Sequence, residues 1–180
     1  FFFEAQPNSL LEATPLEAAY AWTLSCNAAL KQFLGFRHQR FRVSCGELLE
    51  GRIFPGESNT EFNDLTKLKS GCLYYTTDRH PLADLFIITD GGKELVLIDI
   101  TGGSKETAQK KEKRLVAWLN LQHSTIKDTF GMTVHGVVLA PCVTEQSTKE
   151  RTEQGGTLSV VRGKDARDLL GGLNQVFRWF

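Results

Sequence analysis

Residues 81–103 read PLADLFIITDGGKELVLIDITGG, two apolar runs joined by a glycine turn with an aspartate near each outer end. Short apolar runs flanking Asp-Gly-Gly mark a β-hairpin. With Gly91-Gly92 as a two-residue loop, Asp90 pairs with Lys93, and counting outward sets Ile88 opposite Leu95, Phe86 opposite Leu97 and Asp84 opposite Asp99. Both acids then point to one face. Like charges directly opposed on neighbouring strands destabilise a sheet, so this register asks for a compensating cation, either a basic side chain or a metal. No lysine lies within either strand, and two carboxylates with a carbonyl and water suit the oxygen preference of Mg²⁺. The plainer alternative is that both acids only solvate the strand ends or cap the following turn; another loop length would shift the register and separate them.

Working outward, CLYYTT from Cys72 precedes the hairpin as a further strand, giving three in succession. Ser104 opens SKETAQKKEKRLVAWLNLQ, in which Ala108, Leu115, Trp118, Leu119 and Gln122 share one face at helical spacing, as in an amphipathic helix lying on a sheet. TVHGVVLAP, residues 133–141, is almost continuously apolar, the texture of a central strand covered on both sides. Residues 142–156 are polar and read as an exposed loop, TLSVV as a short strand, and KDARDLLGGLNQVFRWF as a closing helix. Upstream, Thr14-Pro15-Leu16-Glu17 is a helix start, with a capping Thr, Pro at the first helical position and Glu three residues after the cap. That helix is expected to run to about Leu34 and to end at Gly35. Residues 36–70 read as an irregular insertion. The order predicts one α/β domain over 1–180, a mixed sheet flanked by helices.

The chain has 180 residues, 41% of them hydrophobic, enough for one substantial core. Lys plus Arg and Asp plus Glu both number 21, so no global field draws the protein to nucleic acid or to an anionic membrane, and any such binding must come from a local patch. Cys26, Cys45, Cys72 and Cys142 form no CxxC pair and His38, His80, His123 and His135 are scattered, which argues against a zinc knuckle or a disulfide framework and for reduced thiols in an intracellular protein. No apolar run reaches the ~20 residues that span a bilayer, so no membrane partner is expected. The apolar Phe at position 1 and the RWF ending read as a domain cut from a longer chain.

Helix, three-stranded meander, helix and strand, with Pro-x-x-Asp (Pro81, Asp84) opening the second strand and Asp99-Ile100-Thr101 ending the third, resembles the PD-(D/E)xK, restriction-endonuclease-like nuclease superfamily. In YYTTDRHPLADLF, LVLIDITGGS and Tyr20-x-Trp22 the chain is most similar to the nuclease-like domain of retrotransposon hot spot proteins and Crinkler effectors, over about residues 15–141. The resemblance implies phosphodiester hydrolysis assisted by Mg²⁺ or Mn²⁺, with DNA or RNA as partner. It also implies a P-loop NTPase domain elsewhere in the full-length protein and residence in the nucleus. In that scheme Asp84 and Asp99 bind metal, the carbonyl of Ile100 completes the site, and Glu17 adds a ligand or holds water. Glu17 is equally well explained as the acid of its own capping box.

The chain departs from the pattern where the third motif residue should be Lys and is Thr101. A hydroxyl can hydrogen-bond water but brings no positive charge. Some families move the lysine to the next helix; Lys111 lies on the inward stripe and Lys105 in the first turn, although either could equally be a lysine whose stem packs while its amine reaches water. If neither takes the role, the fold is a degenerate nuclease serving as a nucleic-acid or protein interaction module. Lys105, Lys110, Lys111, Lys113 and Arg114 outweigh Glu106 and Glu112 on this helix, and Arg37, Arg40 and Arg42 interleave with Phe36 and Phe41. Both are candidate patches for phosphate and bases, with a solvated helix face and a basic turn as the plainer explanations. Gly102-Gly103-Ser104 leads into a helix N-terminus, where free N–H groups favour a phosphate; it is not a P-loop, since no GxxxxGK[ST] is present, and the plainer explanation is a tight strand-to-helix turn.

Overall fold

The computed structural model describes residues 3–4, 15–21, 23, 42–43, 72–75, 82–88, 92–151 and 156–179. Its sheet has seven strands: β2 (Arg42–Val43), β3 (Cys72–Tyr75), β4 (Leu85–Ile88), β5 (Glu94–Ile100), β6 (Thr133–Ala140), β8 (Thr157–Arg162) and β7 (Thr148–Arg151), in that spatial order. β3, β4 and β5 form an antiparallel meander, β5, β6 and β8 run parallel, and β7 closes the far edge antiparallel to β8. The fold is therefore α/β with a mixed sheet flanked by helices. β1 (Phe3–Glu4) and β9 (Phe177–Arg178) pair separately, in parallel.

The hairpin register is the one the glycine turn predicts: Ile88 faces Leu95, Phe86 faces Leu97 and Leu85 faces Ile98. Asp84 continues that ladder, its N–H donating to the Ile98 carbonyl at 2.9 Å. Alternation then sorts the strands onto two cores. Phe86, Ile88, Leu95 and Leu97 pack beneath helix α2 (Lys105–Phe130) with Leu115, Leu119 and Ile126. On the opposite face, Leu85, Ile87, Val96, Ile98 and Ile100 meet α1, helical over 15–21, through Leu16, Ala19 and Tyr20. The Tyr20 hydroxyl donates to the Ala166 carbonyl at 2.9 Å, tying α1 to the C-terminal segment. The remainder of the predicted first helix, to Leu34, lies outside the described residues.

Several expectations are corrected. Helix α2 does not stop near Gln122 but runs to Phe130, because the inward stripe continues through His123 and Ile126, and Gly131 at φ 67° ends it by donating to the Lys127 carbonyl. The expected loop over 142–156 contains β7, whose polar TKER sequence suits an edge strand that needs a partner on one side only. The expected irregular stretch 36–70 contains β2, which pairs in parallel with β3; the rest of that stretch lies outside the described residues. The closing helix is a short α3 (Gly163–Asp168), a 3-10 turn (Gly171–Val176) and β9, because Gly171 takes φ 56° and turns the chain. Its apolar side chains are still largely inward: Ala166, Leu169 and Leu170 are buried, and Leu173 and Val176 pack against the same core.

Helix α2 sits close to the sheet at Gly136, where an added Cβ would collide with the Leu115 and Leu119 side chains. Among the described residues, no helix is long and apolar enough to cross a membrane.

Candidate active site

Asp99 is the penultimate residue of β5, on the face covered by α2, and Asp84 stands just before β4 on the neighbouring strand. The pair lies at the carboxyl end of the central parallel strands, the rim where α/β folds build their sites. Asp99 is 1% exposed. A carboxylate placed so deeply, with the half-buried Asp84 beside it, needs opposite charge, and it comes from α2, the element that follows β5 in the chain.

The Lys111 ammonium reaches into the pair. It donates to Asp99 Oδ1 and to the Ile100 carbonyl, the latter at 2.8 Å, and lies 3.5 Å from Asp84 Oδ2. Arg114, one turn further along the helix, donates from Nη2 to Asp99 Oδ2 at 2.6 Å. Both oxygens of Asp99 thus face a cation. Asp84 Oδ2 instead accepts the Ile100 N–H at 2.6 Å, so the backbone of β5 is held from both sides of the same residue.

The electrostatics of the two acids follow from this geometry. Burial pushes the Asp84 carboxyl up to about 7; Lys111 opposes that rise, while the nearby charges of Asp99 and Glu17 add to it. Burial works against the Lys111 ammonium, yet Asp84 and Asp99 together outweigh it and hold the lysine above its ordinary value. Glu17, half-buried on α1, is therefore within electrostatic reach of Asp84.

The other candidates go elsewhere. Thr101 is buried after the end of β5, and its hydroxyl accepts the Gly103 N–H at 3.0 Å, which stabilises the turn into α2. Lys105 is exposed and pairs with Glu145 on the other flank of the helix, so it does not join Asp84 and Asp99. Lys110 is exposed on α2. Arg37 and Arg40 lie outside the described residues, as does Pro81, and Arg42 belongs to β2. The sequence reading did not single out Arg114, which it counted within a general basic excess. The available signal was its spacing of three from Lys111, which puts both on one flank of the helix.

Among the described residues, no group of three or more His, Cys, Asp or Glu side chains is arranged to hold a metal. The oxygen set is nonetheless of the right chemistry. Asp84 Oδ2, Asp99 Oδ1 and the Ile100 carbonyl converge on one cation, the ammonium, and all three are the hard donors Mg²⁺ prefers. Fold and site together define a mixed α/β domain with a buried carboxylate pair, countered by a lysine and an arginine from the crossover helix. Comparison with protein-family models, with curated proteins and with solved structures finds no match for this chain.

Proposed function

We propose that this chain is a metal-dependent nuclease-like domain of the PD-(D/E)xK, restriction-endonuclease-like kind, acting on nucleic acid phosphodiesters. The observation that carries the reading is the Lys111 ammonium against both acids and the Ile100 carbonyl. It supplies, from the following helix, the positive charge that Thr101 leaves missing from the motif. The element order and the placement of the acids at the carboxyl rim of β5 give further support.

In this scheme Asp84, Asp99 and the Ile100 carbonyl would hold Mg²⁺ or Mn²⁺, and Glu17 adds negative charge at the edge of the site. A divalent cation bound there lowers the pKa of water and offsets charge on the phosphate. With those oxygens given over to the metal, the Lys111 ammonium would be released to the edge of the site, there to orient the attacking water and stabilise charge gathering on the phosphoryl oxygens. Arg114 keeps Asp99 turned toward the lysine. A second reading draws on the same contact: an ammonium already satisfying both acids is a stable cluster in its own right, as in a nuclease fold that has lost cleavage and serves as an interaction module. The likeness to retrotransposon hot spot proteins and Crinklers adds the proposal of a P-loop NTPase in the full-length protein and of nuclear residence.

The test is to incubate the chain with labelled DNA and RNA in Mg²⁺ or Mn²⁺ beside Asp84→Ala, Asp99→Ala and Lys111→Met. Cleavage should vanish in the aspartate variants and fall by about 100-fold or more in the lysine variant. Cleavage that survives both aspartate substitutions overturns the metal assignment. Binding of nucleic acid without cleavage by the wild type supports the second reading.

A further inference from the structure

Helix α2 carries charged side chains on both flanks, and on one of them an exposed arginine touches the buried acid of the site. On the far flank the Arg162 guanidinium is 8% exposed and is met by Glu112, the Gln146 carbonyl and Thr148. On the near flank Arg114 is 43% exposed, yet it touches an acid that is 1% exposed. Its Nη2 donates to Asp99 Oδ2, while the rest of its five-donor fork stands at the rim of the carboxylate pair. Lys110, exposed and one turn earlier on the same flank, adds a second positive charge beside it.

From this we infer that Arg114, supported by Lys110, is the seat of the substrate phosphodiester, joining a backbone phosphate to the carboxylate that holds the metal. The inference rests on the metal-dependent reading given above and adds where on the site the anion lies. The charge count favours it. As described, two carboxylates meet two cations and the cluster is balanced. With a divalent cation at the acids the same residues stand in positive excess, even allowing for Glu17, and charge in excess at a largely buried site is costly unless an anion accompanies it. A guanidinium is suited to that anion, since its planar fork offers paired donors to phosphate oxygens, whereas an ammonium presents a point charge. The phosphate chain would cross α2 on the flank that faces β4, leaving the Arg162 flank uncovered.

The experiment measures binding of a labelled single-stranded and a labelled double-stranded oligonucleotide to the 180-residue chain in Ca²⁺ over a range of salt. Beside it, Mn²⁺ binding is titrated without nucleic acid. Arg114→Met should weaken oligonucleotide binding by roughly 5- to 10-fold and lower the slope against log salt by about 1, the signature of one lost phosphate contact. Its Mn²⁺ affinity should be unchanged or tighter, because a neighbouring positive charge has gone. Arg114→Lys should restore the salt slope and only part of the affinity, and in cleavage it should raise KM more than it lowers kcat. An unchanged salt slope in Arg114→Met overturns the inference, as does an equal loss of Mn²⁺ and oligonucleotide binding, which would make Arg114 a clamp on Asp99 alone. A wild-type chain that binds neither oligonucleotide overturns the nucleic-acid reading beneath it and the inference with it.

Discussion

The two flanks of α2 each carry buried charge, and they are built differently. On one flank a single acid, Glu112, meets a single base, Arg162, at 2.8 Å. The guanidinium also donates to the Gln146 carbonyl, and the Arg162 N–H donates to the Ser147 hydroxyl at 3.0 Å, so the cluster stitches helix, β8 and the segment before β7 together. On the other flank two acids meet Lys111 and Arg114, and burial with like-charge repulsion still lifts Asp84 to about 7. The first arrangement is satisfied and fixes the helix. The second holds a strained acid at the edge of a largely buried site, the condition under which groups are poised for binding or proton transfer.

That contrast can be broken from either side. Arg162→Met should be the most damaging change, costing about 3 kcal/mol in denaturant unfolding because it strands the Glu112 carboxylate and the Gln146 carbonyl. It should leave Mn²⁺ binding intact; loss of metal binding would erase the division between the flanks. Lys111→Met should cost about 2 kcal/mol without metal, the scale of a charge-assisted hydrogen bond. In that variant Mn²⁺ should raise the melting temperature more than in wild type, since the ammonium no longer competes for the same oxygens. An equal rise in both proteins would show that the lysine and the metal occupy different places.

Smaller effects sharpen the comparison. Asp84 has its folded pKa raised from 3.8 to about 7, so its ionisation weakens the fold as pH climbs through that interval, and the penalty is absent below the unfolded value. Asp84→Asn removes the titration. Its stability relative to wild type should therefore improve steadily from pH 4 to pH 7 and level off above, as read from unfolding curves at each pH. A difference independent of pH would mean that Asp84 is not the strained acid. Lys105→Ala should produce no measurable shift in melting temperature, because its pairing with Glu145 is exposed on both sides.

The hairpin was legible because a strand has a period of two and the glycine turn leaves one register that buries both apolar runs. Phe86 opposite Leu97 and Ile88 opposite Leu95 follow from counting alone. The central strand and the inward stripe of Ala108, Leu115 and Leu119 were legible for similar reasons. The closing segment was misjudged where periodicity carried a helix across Gly171-Gly172, although Gly171 turns the chain in a left-handed conformation. β7 escaped notice because an exposed edge strand has no apolar alternation to announce it.

By itself the sequence determined that Asp84 and Asp99 share a face at the rim of an apolar sheet, and that they need a cation. It did not determine which one. Lys105, Lys110, Lys111, Lys113 and Arg114 lie within ten consecutive residues of one helix and differ in local sequence by little. The tertiary structure chose among them: with α2 seated closely on the sheet at Gly136, Lys111 and Arg114 reach Asp99 while Lys105 pairs with Glu145. Strand register follows from local pattern, whereas the pairing of charges between helix and sheet depends on the height and rotation of packed elements, which only the assembled core sets.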